Sequence, residues 1–90
     1  MKLRRHKAFT NDFSKARLAD AQFEKLIRYL SLLQNDQPLP EEALDHNLKG
    51  KWSDFREFHL GGDMLIIYKI NVAESEIVLS RLGTHSQLFE

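Results

Sequence analysis

No cysteine occurs in the 90 residues of this chain. That excludes disulfide frameworks, thiolate metal sites and cysteine nucleophiles, and it fits a reducing compartment. Glycine (four) and proline (two) are scarce, which rules out collagen-like repeats and low-complexity linkers. The longest apolar run, Met64-Leu65-Ile66-Ile67-Tyr68, falls far below the ~20 residues of a membrane-spanning helix. The basic start, Met1-Lys2-Leu3-Arg4-Arg5-His6-Lys7, leads into a polar helical pattern and not into the apolar core of a secretion signal. An excess of one charge is missing too: thirteen Lys and Arg balance thirteen Asp and Glu. The electrostatic footprint of a strongly basic nucleic-acid binder is therefore absent. So are the glycine-rich fingerprints of nucleotide and dinucleotide sites and the GxSxG of serine hydrolases. What remains is one soluble, cytoplasmic domain over residues 1–90 that acts from its own side chains, without cofactor or membrane.

The charge that is present is unevenly placed. Residues 1–51 hold ten basic and seven acidic side chains, a net +3, and residues 52–90 hold three and six, a net −3. Lys2, Arg4, Arg5 and Lys7 form the densest basic run, on a segment, Leu3 to Phe9, that reads as a short strand. Thr10 is placed to cap a first helix, with Asp12 in its first turn and Phe9, Phe13 and Ala16 at helical spacing. Asp20 opens a second helix. Its Phe23, Leu26, Ile27, Leu30 and Leu33 recur at i, i+3, i+4, i+7 and i+10, the stripe of an amphipathic helix packed on a core. Asn35-Asp36-Gln37-Pro38-Leu39-Pro40 ends it.

The second half reads as three strands, Phe55 to Leu60, Met64 to Ile70 and Ile77 to Leu82, rich in aromatic and β-branched residues. Gly61-Gly62 is the first turn, since both glycines accept positive φ cheaply. A two-residue loop there sets His59 opposite Met64 and Glu57 opposite Ile66. Phe58, Leu65 and Ile67 then face the helices, and Glu57 and His59 the open side. A four-residue second loop, Asn71 to Glu74, places Arg81 beside Met64 on that open side, while a five-residue loop buries it; the cost of burying an unpartnered arginine favours the four-residue loop. The predicted fold is α+β: a small, twisted, mainly antiparallel sheet in β-α-α-β-β-β order, with the helical hairpin on one face.

Three of the four histidines, His46, His59 and His85, lie in the second half among polar, turn-forming neighbours. With Glu57, Asp63 and Arg81 they provide a base, an acid, an orienting carboxylate and a fixed cation. Those are the groups needed to cleave a phosphodiester without metal, by turning the RNA 2′-hydroxyl on the adjacent phosphorus. Each histidine alone is more often a satisfied surface or core residue than a catalytic one. A metal site from His46, His59, His85 and Asp63 lacks the helical HxxxH or HExxH spacing, so no metal is expected.

From Asp45 onward the chain resembles the YafQ branch of the RelE/ParE toxin superfamily. The resemblance rests on Asp45-His46-Asn47-Leu48-Lys49-Gly50, then Arg56-Glu57-Phe58-His59, then Asp63 to Ile70, then Arg81-Leu82-Gly83-Thr84-His85-Ser86-Gln87-Leu88-Phe89. The first half matches only in pattern, a strand and then Phe13-Ser14-Lys15 entering two helices. The resemblance implies a RelE-like fold and a type II toxin: an endoribonuclease that enters the ribosomal A site, beside the 16S rRNA, and cuts the translated mRNA. It also implies a cognate antitoxin that silences the toxin, with the pair acting on operator DNA. The matching positions make His46, His59, Asp63 and His85 the catalytic set, Arg81 the phosphate cation, Phe89 the aromatic near the cut nucleotide, and Glu57 a substrate-site acid that orients His59. Met64 stands where many relatives carry a Trp, and Asn47 where a Pro is usual; a thioether is a poorer stacking platform, and Asn leaves the His46 loop less fixed. A catalytically silent relative, or a ParE-like inhibitor of DNA gyrase, is the alternative. ParE-like members lack the histidine set.

Overall fold

Four residues suffice for the first strand. In the computed structural model, which describes residues 1–89, strand β1 (Lys2–Arg5) gives way at once to helix α1 (Lys7–Lys15). The cap is His6 and not Thr10: its Nδ1 accepts from the Ala8 amide at 3.0 Å, so the turn starts four residues earlier than predicted. Helix α2 (Asp20–Gln34) begins where expected. Ala19 before it has no side-chain acceptor, but Gln22 Oε1 accepts from the Ala19 amide at 2.9 Å, half of a capping box. Strands β2 (His46–Asn47), β3 (Arg56–Gly61), β4 (Met64–Asn71) and β5 (Glu76–Thr84) follow, and the short helix α3 (His85–Phe89) closes the described chain. Neither β2 nor α3 is evident in the sequence pattern. The sheet order is β1-β5-β4-β3-β2, antiparallel except for the β1–β5 pair. Among the described residues no helix is long and apolar enough to cross a membrane.

The helical hairpin lies on one face, as predicted. There Phe9, Leu26 and Tyr29 pack against Phe58, Leu60, Ile66, Tyr68, Leu79 and Leu82. The Tyr29 ring meets the Phe58 ring edge-on at 5.6 Å, and Phe58 meets Tyr68 at 5.7 Å. The stripe of α2 is wider than the sheet it covers. Phe23 and Ile27 remain 48% and 54% exposed, at the rim of a groove shared with Leu3 and Phe13.

Register departs from the expectation in both hairpins. The first turn is Gly62-Asp63, with Gly61 paired to Met64 and the ladder slipping at Leu60. Glu57 is therefore opposite Ile67 and His59 opposite Leu65. Because side chains alternate, this one-residue shift turns β4 over. Met64, Ile66 and Tyr68 face the helices, and Leu65 and Ile67 share the face of Glu57 and His59. That face is not open either. Leu48, Phe55 and Leu88 cover Leu65 and Ile67 in a second apolar cluster. The second loop has four residues, 72–75, one later than expected, and a bulge at Ser80 restores Arg81 to the Glu57 face, opposite Ile67 and not Met64.

Candidate active site

The register builds a row. His46, Glu57, Ile67 and Arg81 are successive cross-strand partners over β2, β3, β4 and β5, and His59, Leu65 and Gly83 form the next row. Cross-strand neighbours share a face. Gly83 is what lets α3 fold back over this face. A Cβ there would stand 2.9 Å from Gln87 Oε1 and 3.2 Å from Leu88 Cδ2. Thr84 and Gln87 close the turn into α3 with reciprocal bonds: the Thr84 amide donates to Gln87 Oε1 at 2.9 Å, and the Gln87 amide to Thr84 Oγ1 at 3.2 Å. With Leu88 seated on Leu65 and Ile67, α3 delivers His85 to the end of the row.

Three imidazoles thus converge on one carboxylate oxygen. Glu57 Oε2 lies 2.8 Å from His59 Nε2, 3.5 Å from His85 Nε2 and 4.0 Å from His46 Nε2. Glu57 is 2% exposed, which for a carboxylate demands donors. The His59 side chain is 20% exposed, and those of His46 and His85 are 53% and 58% exposed, open to a substrate. Tautomers follow from the partners. His46 Nδ1 is 2.6 Å from the Leu44 carbonyl oxygen, which only accepts. Nδ1 therefore carries the proton and Nε2 is bare in the neutral ring. His59 Nε2 lies 2.8 Å from Glu57 Oε2, and a carboxylate oxygen accepts from the tautomer that carries its proton on Nε2. Leu44 itself adopts the left-handed conformation, φ 51°, to aim that carbonyl.

The segment holding His46 is tethered to β3 and β4. Asp45 Oδ1 accepts from the Tyr68 hydroxyl at 2.6 Å and from Arg56 Nε at 3.3 Å, and Oδ2 accepts from Arg56 Nη2 at 3.2 Å. Arg56 Nη1 also donates to Asn47 Oδ1. Asn47 is thus no loosening of the loop; its amide adds a tie that a Pro lacks. Burial first, then the hydrogen bond to Asp45, pushes the Tyr68 phenol well above its usual value. Burial would lower Arg56, but its bonds to Asp45 and Tyr68 outweigh that and raise it.

Of the predicted residues, His46, Glu57, His59 and His85 come together, and Phe89 joins them, its ring 5.6 Å from that of His85. Arg81 shares the face but lies two strands from Glu57, roughly 10 Å by strand spacing, with its guanidinium bound to Asp12. Asp63 does not join: it is exposed in the β3–β4 turn and makes no hydrogen bond or ion pair among the described residues. Met64 packs toward the helix-side core. Trp52 is a further residue of this site, beyond those the sequence motifs mark. Its ring lies 5.6 Å from Phe89 and 5.5 Å from Phe55, giving an aromatic wall beside His85. Its signal was there: the chain's one Trp follows Lys49-Gly50-Lys51, basic residues interleaved with an aromatic. Among the described residues no group of three or more His, Asp and Glu is arranged to hold a metal ion.

A mixed sheet with a helical hairpin on one face is the fold of the RelE-like toxin class. Residues 1–90 match the family model described as the bacterial toxin of type II toxin-antitoxin system, YafQ, and the chain belongs to that family. The putative toxin YafQ of Haemophilus influenzae is 40% identical over 65 residues, 70% of this chain and 64% of that protein. The mRNA interferase toxin YafQ of Escherichia coli K12 is 33% identical over 82 residues, 90% of this chain and 87% of that one. E. coli YafQ in its crystallised complex with DinJ superposes with a TM-score of 0.82 at 32% identity, over 99% of this chain and 98% of that one. A metal-bound toxin from Helicobacter pylori gives a TM-score of 0.85 at 36% identity over 98% of both chains.

Proposed function

We propose that this protein is an endoribonuclease that cuts translated mRNA in the ribosomal A site, by acid–base chemistry from its own side chains, and that a cognate antitoxin silences it. The observation that carries this reading is the convergence of three imidazole Nε2 atoms on Glu57 Oε2 within 4.0 Å. One imidazole takes the proton of the RNA 2′-hydroxyl as its oxygen bonds to phosphorus. His85, as imidazolium, gives a proton to the 5′-oxygen as its bond to phosphorus breaks. The products are a 2′,3′-cyclic phosphate and a 5′-hydroxyl, and one proton has entered the cluster while one has left. His46, with a bare Nε2 in its neutral ring, fits the base. Glu57 fixes His59 and balances whichever ring is protonated. Phe89 and Trp52 offer faces to stack a base, and Arg81 offers charge to the phosphate.

The antitoxin's place fits the groove between α1, α2 and β1, where Leu3, Phe13, Phe23 and Ile27 stay exposed and Arg5 contributes a positive rim. An acidic amphipathic segment matches that chemistry. The test of the nuclease reading is induction in cells with mapping of mRNA ends and end-group analysis. Cyclic-phosphate and 5′-hydroxyl ends inside translated frames are expected. Growth arrest with intact mRNA and blocked DNA supercoiling would instead point to the gyrase-directed alternative.

A further inference from the structure

We propose that Asp12, 69 residues from Arg81 in the chain, is a positioning residue that holds the Arg81 guanidinium in one orientation, with its free edge toward the RNA phosphate. This rests on the reading of Arg81 as the phosphate cation. Asp12 Oδ2 accepts from Arg81 Nε at 2.8 Å and from the Leu82 amide at 3.0 Å, and Oδ1 accepts from Arg81 Nη2 at 3.3 Å. The carboxylate grips only the Nε–Nη2 edge. Among the described residues no hydrogen bond occupies Nη1 or the second proton of Nη2, a pair with the fork geometry that suits two phosphate oxygens. The side chain is 35% exposed, and it lines a cleft of about 480 Å³ with Asp12, Lys15, Arg17, Met64 and Gln87. Two further cations thus favour a polyanion in the same cleft.

An arginine on an exposed face samples many rotamers, and an electrostatic catalyst must be placed before the charge develops. The partner that fixes it also cancels part of its charge. Asp12 therefore trades attraction for orientation, which makes an unusual demand on kinetics: losing it should slow the chemical step without weakening RNA capture. Burial alone would raise the Asp12 carboxyl, but the hydrogen bonds from Arg81 and Leu82 and the charges of Arg81 and Lys15 hold it below the usual carboxylate range. The pair is ionised throughout the neutral range.

Asp12→Asn separates this role from a mere tether. Its amide oxygen can still accept from the Leu82 amide and Arg81 Nε, whereas its NH2 would face Nη2, donor against donor. With ribosomes programmed with a translated message, and at a temperature where circular dichroism shows the variant folded, kcat should fall about ten- to hundredfold. KM for the programmed ribosome should stay level or drop. In an Arg81→Ala background, already slow, the same substitution should do nothing more. Wild-type kcat in Asp12→Asn beside a dead Arg81→Ala would remove the clamp and leave Arg81 in place. An additive loss in the double variant would also overturn the clamp. Wild-type cleavage by Arg81→Ala would overturn both roles at once.

Discussion

The two faces of the sheet solve different problems with the same strands. Under the hairpin, Tyr29, Phe58, Leu60, Ile66 and Tyr68 are all essentially without solvent, in a continuous apolar core. On the opposite face, among the described residues, only Leu65, Ile67 and Leu88 form a dry cluster, with Leu48 and Phe55 at its margin. Beside it a buried carboxylate meets the largely buried His59 and two imidazoles, His46 and His85, that are about half in water. The first face is apolar throughout; the second keeps titratable side chains beside a smaller apolar cluster. The domain tolerates a buried Glu57 because its hydrogen-bond demand is met by His59 and because the other face supplies the apolar burial.

That division makes opposite predictions for substitutions on the two sides. On the histidine face, His85→Ala should lower cleavage by roughly 10²–10⁴-fold. Its 58% exposed side chain should leave the melting temperature and antitoxin affinity nearly unchanged. A folded His85→Ala that still arrests growth would remove His85 from the mechanism, and an unstable one would make it a structural pin. On the helix side, Phe58→Ala removes a ring in contact with Tyr29 and Tyr68, and should cost about 3–5 kcal/mol in chemical denaturation. Any activity lost there should track the unfolded fraction.

Gly83→Ala probes the junction between the faces. The added methyl must displace Gln87 and Leu88, at a cost of about 1–3 kcal/mol. It should carry His85 out of register with Glu57, so cleavage per folded molecule falls by about tenfold or more. A stable, fully active Gly83→Ala would show that α3 does not need its present seat. The smallest effect is a pH dependence. The folded Asp12 carboxyl is depressed from 3.8, so its contribution to stability is present above that value and is lost as pH falls through the lower, folded one. Denaturant midpoints between pH 5 and about pH 2 should fall less steeply for Asp12→Asn than for the wild type. Equal slopes would show that the ion pair adds nothing to stability.

Much of this architecture was legible in one dimension. The periodicity of Leu26, Leu30 and Leu33 marked the packing helix, Gly61 and Gly62 marked the hairpin, and His46, His59 and His85 stood out as the histidines that the fold brings together. The errors share one cause. Strand register is discrete, and a slip at Leu60 or a bulge at Ser80 changes the face of every residue beyond it with little change in local composition. So Leu65 and Ile67 were assigned to the wrong face, and Arg81 to the wrong neighbour. Helix α3 was missed because five residues carry too little periodicity to show.

Local preferences depend on the residue and its near neighbours, so the chain alone determined that a two-helix hairpin, a β meander and a histidine-rich second half would exist. Only the tertiary structure decided that three histidines would share one carboxylate oxygen, that Trp52 would meet Phe89, and that Asp12 would grip Arg81. Those contacts join residues up to 69 positions apart. They form because a four-residue parallel strand, two register irregularities and one glycine bring those positions together, and no local propensity encodes a meeting of that kind.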